Sequence, residues 1–376
     1  MKTVAIICEY DPFHRGHKHQ IELIRENFGS DTTVISLMSG SVVQRGRLSV
    51  YPKHLRAEAA IKCGSDLVLE LPCPWCCSSA EFFAMGAVSL LNSLGGVDIL
   101  AFGSESGNIN ELTDASSTML SEQFISAMRS EGKNGHIKAS ENVFSSLGGK
   151  NFPALPNDIL GIEYISALKK TSSNIVPFTY KRQPGWSATR SRELLTQGTD
   201  PSEMIPNEAI QVFKNAPITD NSIYSAVALH TLRSTPDDIL CGYFGMNGGV
   251  SGLIKSNADE VTSVYELVEK CTGKSYTSAR IRRAILSSIL MITEKNVREE
   301  PQFTTLLAAN NKGREFLSEI RKTSTLQIIA KTADGTALDF PSKEQLELSM
   351  RSDKLMSLCR CQSASDVFRR APFIAK

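Results

Sequence analysis

Over its first two hundred residues the chain alternates two periodicities, and that alternation limits its fold more than any other feature. Lys2–Cys8, Thr32–Met38, Asp66–Leu71, Val97–Phe102 and Asn174–Tyr180 are short apolar runs with β-branched residues, the pattern of buried strands. Between them, His17–Phe28, Leu55–Cys63, Ala80–Leu94 and Asp158–Lys169 carry apolar side chains three and four apart, as helices do. Such alternation predicts an α/β fold, a doubly wound parallel sheet of Rossmann type with helices on both faces. Ligands of such sheets bind beyond the carboxyl ends of the strands, where the strand order reverses. The segments after Cys8, Met38, Leu71 and Phe102 should therefore meet at one crevice. They are rich in His, Gly, Ser, Arg and Glu.

Beyond about residue 203 the pattern changes. Helical spacing covers 205–214, 219–233, 259–272, 277–293 and 312–322, with one β-like run at Thr325–Lys331. The Gly198–Pro201 turn is thus expected to divide an α/β domain, 1–200, from a mainly α-helical domain, 201–376. A formal net charge of +1 excludes a polycation, so any nucleic-acid contact must come from a local patch. No apolar run reaches the roughly 18 residues of a membrane span, and MKTVAII meets Glu9 too soon for a signal peptide. A cytoplasmic protein with no membrane partner is expected, its oligomeric state left open. Nine cysteines at irregular spacing argue against a disulfide framework. Cys73-Pro-Trp-Cys76 has CxxC spacing, but its candidate partners, Cys359 and Cys361, lie far along the chain, so no metal centre is expected.

The densest chemistry lies in Asp11-Pro12-Phe13-His14-Arg15-Gly16-His17, between the first strand and the first helix. Helix-terminal N–H groups can meet a phosphate there, and Gly16 allows close approach. His14 and His17 can both donate to one anion and stabilise an in-line displacement at phosphorus without a protein nucleophile, which makes them the candidate catalytic residues. Asp11 is a carboxylate in the same turn and would repel a triphosphate unless it caps the helix or faces Mg²⁺. Gln44 and Arg45 should face the crevice, Arg45 either on a ligand or in a surface ion pair. Glu81 and Glu105 are the acidic candidates for Mg²⁺ around the triphosphate. Ser187, Thr189 and Arg192 open a late helix and read either as a second phosphate element or as a plain N-cap. Lys274, Arg280, Arg282 and Arg283 form a basic stretch without an acid, with Tyr276 available for stacking. It suits either an RNA backbone or a solvated helix face.

HxGH after a first strand resembles the HIGH-type nucleotidyltransferase superfamily, which shares its nucleotide-binding fold with class I aminoacyl-tRNA synthetases. The longer match is similar to one family within it, the bacterial tRNA(Met) cytidine acetate ligases. It is carried by Glu9–His19, Met38–Gly46, Arg56–Glu58, Gly64–Pro72, Ser79–Phe83, Phe102–Glu105, Pro156–Tyr164 and Lys181–Arg182. The resemblance implies ATP binding by Ile7, Cys8, Glu9, Tyr10, Asp11, Pro12, Phe13, His14, Arg15, Gly16, His17, Lys18, His19 and Gln20. It adds Gly103, Asn157 and Arg182, of which Asn157 could instead cap the helix that follows. The SATRSR segment resembles the family's phosphate signature, and the stretch around Arg280 its KxYTxxRxxR pattern, which implies tRNA binding by Lys274, Arg280, Arg282 and Arg283. The implied reaction joins acetate to ATP as acetyl-adenylate and then acetylates N4 of the wobble cytidine of elongator tRNA(Met). The alternative is an adenylyltransferase or acyl-adenylate ligase for small molecules, which would have no use for the basic stretch.

Overall fold

The computed structural model describes residues 2–130, 136–149 and 152–375. Five parallel strands form its centre: β1 (Thr3–Cys8), β2 (Thr33–Ser39), β3 (Leu67–Leu71), β4 (Ile99–Ser104) and β5 (Val176–Lys181). Their order across the sheet is β3-β2-β1-β4-β5, all in parallel register. The winding therefore reverses between β1 and β4. Along β1, Val4 and Ile6 join a core with Ile21 and Ile24 of α1 (Arg15–Phe28) and Ala57 and Ala60 of α2 (Lys53–Lys62). Ala5 faces the opposite core, with Val88 and Leu91 of α3 (Ala80–Leu94) and Ile162 and Ile165 of α4 (Pro156–Lys170). Burial on both faces explains why β1 to β3 are near-continuous apolar runs rather than alternating ones.

The alternation in the sequence is realised within a few residues at every one of these elements. The region after residue 200 departs further from expectation. Helices do dominate it, α6 (Ser278–Leu290) among them, and α5 (Ala188–Thr196) lies just before the region. Yet β6 (Phe303–Ala309) enters the central sheet antiparallel to β3, and β7 (Gln327–Ile329) and β8 (Phe373–Ile374) pair with β6. The chain beyond residue 300 thus widens the same sheet. A seven-residue apolar run such as FTTLLAA does not reveal by periodicity whether it is strand or buried helix. Helix α7 (Phe340–Leu358) was not legible for a different reason. Its buried face includes Ser342, Gln345, Ser349, Ser352 and Asp353, so it presents no apolar stripe. No helix among the described residues is long and apolar enough to cross a membrane.

Asp353 belongs to a buried ion cluster that ties α7 to the sheet. Lys53 Nζ donates to Glu70 Oε1 and Oε2 at 2.8 and 2.9 Å and to Asp353 Oδ2 at 2.8 Å. Ser41 Oγ donates to Asp353 Oδ1 at 2.6 Å. All three charged side chains are at most 3% exposed, so Lys53 is the cation that offsets two buried carboxylates. Burial still raises the Glu70 carboxyl to about 6. Lys53→Met is therefore expected to lower stability by about 3–5 kcal/mol at pH 7. Without the cation the Glu70 carboxyl loses the contact that lowers it and moves further upward when folded, so protonation favours the native state and the deficit should shrink at pH 5. Urea unfolding of wild type and variant at the two pH values checks both parts; an equal deficit at pH 5 would show that charge is not its origin.

Candidate functional site

A cleft of about 560 Å³ opens beyond the carboxyl ends of β1 and β4, where the winding reverses. From the first turn and α1, Ile7 to Asp11 with His14, Gly16, His17, His19 and Gln20 line it. Gly103, Asn157 and Arg182 line it from β4, α4 and the end of β5, and Gln44 and Arg45 from the hairpin after β2. Arg282 and Arg283 close the far side from the start of α6. Segments distant in sequence therefore converge as the strand order requires.

The two histidines are held by each other and by the backbone. His14 is the N-cap of α1: its Nδ1 accepts the Gly16 N–H at 3.1 Å, and His17 Nδ1 accepts the His14 N–H at 3.1 Å. The rings stack with centroids 3.7 Å apart. With both Nδ1 atoms accepting, each neutral ring carries its proton on Nε2 and can donate only from there. Burial, then the neighbouring Arg182 and Arg192, drives the His14 imidazole down to about 3; burial and His14 hold that of His17 well below its usual range. Both are neutral donors near pH 7.

This arrangement changes the part played by the helix terminus. The Arg15 N–H goes to the Met204 carbonyl, that of Gly16 to His14, and that of His17 to the His14 carbonyl. The first amides of α1 are thus engaged within the protein, and the anion donors left facing the cleft are imidazoles and guanidiniums. Gly16 is needed for the cap itself, since a Cβ there would sit 2.9 Å from His14 Cε1. Gly103 lies inside β4 rather than after it, and a Cβ would meet Tyr180 Oη at 2.9 Å and Arg182 Cγ at 2.8 Å.

Asp11 does not cap α1, whose N-cap is His14. Its Oδ1 accepts the Val50 N–H at 2.7 Å, and Oδ2 lies 3.7 Å from Arg192 Nη1, which also donates to the Asp11 carbonyl at 2.6 Å. The carboxylate is used to hold the turn and to bring Arg192 to it. Glu9 accepts the Gln44 N–H at 2.8 Å, and burial followed by Asp11 raises its carboxyl. Tyr10 takes a left-handed backbone (φ 47°) while its hydroxyl meets Ser36 Oγ at 2.8 Å and its ring packs on Phe13 and His17. Those contacts hold a conformation that costs on the order of 1 kcal/mol for a non-glycine residue.

Other candidates stand elsewhere. Pro12 and Phe13 are buried behind the cleft wall. Arg15 turns to the Ser202 carbonyl at 2.9 Å, and Lys18 pairs with Glu208 at 2.7 Å on the outside. Asn157 Nδ2 donates to Glu105 Oε1 at 2.6 Å, while Glu105 accepts the N–H groups of Asn157 and Asp158. The acid therefore caps α4, and Asn157 is not the cap. Glu105 is committed to that helix and Glu81 to an exposed pair with Lys170 at 3.3 Å, so neither fits the expectation of an Mg²⁺ ligand. Among the described residues no three His, Cys, Asp or Glu side chains group as a metal would need. Ser187 is the N-cap of α5, accepting the Arg190 N–H at 3.2 Å, while Thr189 and Arg192 line a second hollow beside the cleft. Lys274 is exposed, and Arg280 lies over the Tyr276 ring at 4.9 Å. Arg283 turns inward and donates to the Gln44 carbonyl at 3.4 Å.

Phe102, Tyr164, Tyr180 and Trp186 also line the cleft, and nothing in the sequence marks them out. Single aromatics in apolar runs look like core, and only their place at strand and helix ends, which requires the topology, distinguishes them.

Residues 1–369 match the family described as HIGH Nucleotidyl Transferase. The chain is 30% identical to the tRNA(Met) cytidine acetate ligase of Acetivibrio thermocellus, over 99% of this chain and 97% of that one. It is 34% identical to the protein of that name from a Thermoanaerobacter strain, over 89% of each. Among solved structures it is similar to Thermotoga maritima TmcAL bound with alpha-thio ATP, with a TM-score of 0.91 and 28% identity over 100% of this chain and 99% of that one.

The fixed tautomers make an expectation that imidazole nitrogen NMR can check. In protein labelled with ¹⁵N-histidine, His14 and His17 should keep Nε2 protonated and Nδ1 bare from pH 8 to pH 5. Folded values below the unfolded one also mean that their share of stability is complete above about pH 6.5 and declines as the pH falls toward His14's folded value of about 3. A midpoint near 6.5 for either ring would contradict the assignment.

Proposed function

The chain belongs to the HIGH nucleotidyl transferase family and, within it, to the tRNA(Met) cytidine acetate ligases, and from that premise we propose that it activates acetate with ATP and acetylates N4 of the wobble cytidine of elongator tRNA(Met). The observation that carries this reading is the locked pair of neutral Nε2–H donors at a switch-point cleft that is flanked by arginines.

In the first step a carboxylate oxygen of acetate attacks the α-phosphorus of ATP. The bond to the bridging oxygen breaks, and pyrophosphate leaves with the electron pair. His14 and His17 donate hydrogen bonds to the phosphate oxygens as charge moves onto them, with Arg182 supplying positive charge beside them. Neutral imidazoles suit that task, because they stabilise charge without giving up a proton. In the second step the cytidine amine attacks the acetyl carbon, AMP departs with the acyl-oxygen electrons, and the nitrogen loses one proton. The mixed anhydride supplies the driving force, so the protein contributes position, electrostatics and exclusion of water. Mg²⁺, if it accompanies the triphosphate, is not held by Glu81 or Glu105, and no step here depends on it.

In this reading residues 1–200 carry the nucleotide chemistry and the helices after residue 201 present the RNA, within a cytoplasmic enzyme. A small-molecule ligase is the weaker reading, since α6 brings Arg282 and Arg283 onto the cleft wall itself.

Incubation with ATP, radiolabelled acetate and total bacterial tRNA should place label in N4-acetylcytidine. Acetate-dependent pyrophosphate release with no label in RNA would favour the small-molecule ligase. His17→Ala should slow pyrophosphate release by about 10²–10³. Full release by that variant would refute the phosphate role.

A further inference from the structure

Beside the cleft lies a second hollow of about 330 Å³, lined by Arg45, Arg47, Thr189, Arg192, Glu193 and Arg282. Four guanidiniums from three separate elements converge there: the hairpin after β2, α5 and α6. The convergence is enforced by packing. Gly46, at φ 69°, sits so close to α6 that a Cβ would lie 2.5 Å from the Arg283 backbone nitrogen. The hairpin arginines on either side of it are thereby pressed toward Arg282.

Among the described residues no hydrogen bond or ion pair engages the Arg45 or Arg47 side chain, and Glu193 is the one acid on the lining. Arg282 makes one bond, to Ser278 Oγ at 3.3 Å. Burial and then Arg47 lower the guanidinium values of both Arg192 and Arg282, and Asp11 and Glu9 offset that of Arg192 only in part. Cations gathered in this way form a prepared anion site, since a ligand's negative charge relieves repulsion already present in the fold. Among the described residues no aromatic or aliphatic side chain lines the hollow, and guanidiniums dominate its wall. It suits phosphate.

Arg45 and Arg282 line both the hollow and the cleft. They offer one continuous wall of cations to the phosphates that flank a base held in the cleft. We infer that the hollow seats the backbone of the acceptor RNA next to the base being modified, with Arg47 as a positioning residue that grips a phosphate. This rests on the reading that the chain acts on tRNA. It places part of the RNA contact on the α/β region, outside the basic stretch at 274–283.

Arg47→Ala can be compared with wild type in two measurements: acetate-dependent pyrophosphate release without RNA, and tRNA binding across a salt series. Release and the KM for ATP should stay within about twofold, while tRNA affinity falls about tenfold and the slope of log K against log salt decreases by about one. Arg47→Lys should restore the slope, which a merely structural role would not do. A raised KM for ATP with unchanged tRNA affinity would overturn the inference and assign the hollow to the triphosphate or pyrophosphate. Wild-type tRNA binding that Arg47→Ala leaves intact would overturn this inference alone. Failure of the wild-type chain to bind tRNA would overturn the acceptor reading and this inference with it.

Discussion

A guanidinium withdrawn from water underlies the architecture of the cleft. Arg56, on α2, is fully buried and donates to the carbonyls of Glu9, Gly40 and Tyr51. Those carbonyls belong to the chain leaving β1, the chain leaving β2, and the segment after the hairpin. Burying an arginine is unfavourable unless its donors are satisfied, so the cation demands that all three segments stay where they are. Asp11 and Glu9 offset its charge from nearby. The crevice of an ordinary doubly wound sheet becomes a fixed site because its floor is pinned from beneath.

On that floor the histidine turn is self-contained. Each ring is oriented by one backbone N–H, that of Gly16 for His14 and that of His14 for His17, and the stacked pair is left with its two Nε2 atoms as donors and not as acids. Asp11 has the least expected place in it. A carboxylate near a triphosphate is unfavourable in isolation, yet here it accepts the Val50 amide and draws in Arg192. The local charge is thereby turned toward anion binding. The segment that receives Asp11 follows the hairpin that carries Arg45 and Arg47, and that hairpin packs against α6 at Gly46.

Lys53, Glu70 and Asp353 show how the late part of the chain is built into the early part. The helix carrying Asp353 and the strand Phe303–Ala309 close the sheet on the β3 side. A division near residue 200 therefore separates kinds of secondary structure more cleanly than it separates packing units.

The sequence by itself determined the five-strand alternation, the position of the crevice, and the grouping of His14, Gly16 and His17 at its mouth. These follow from local periodicity and from the steric needs of a strand-to-helix turn, which operate over a few residues. It could not show that the α1 amides are already engaged, that Glu105 caps α4 in place of Asn157, or that Asp11 serves Arg192. Each of these is a choice among several partners for one polar group, and the partner comes from a segment far away in the chain. Tertiary packing alone decided them. It also decided the use of FTTLLAA as a strand and of a serine-rich helix as core, because burial there depends on what lies opposite rather than on the residues' own pattern.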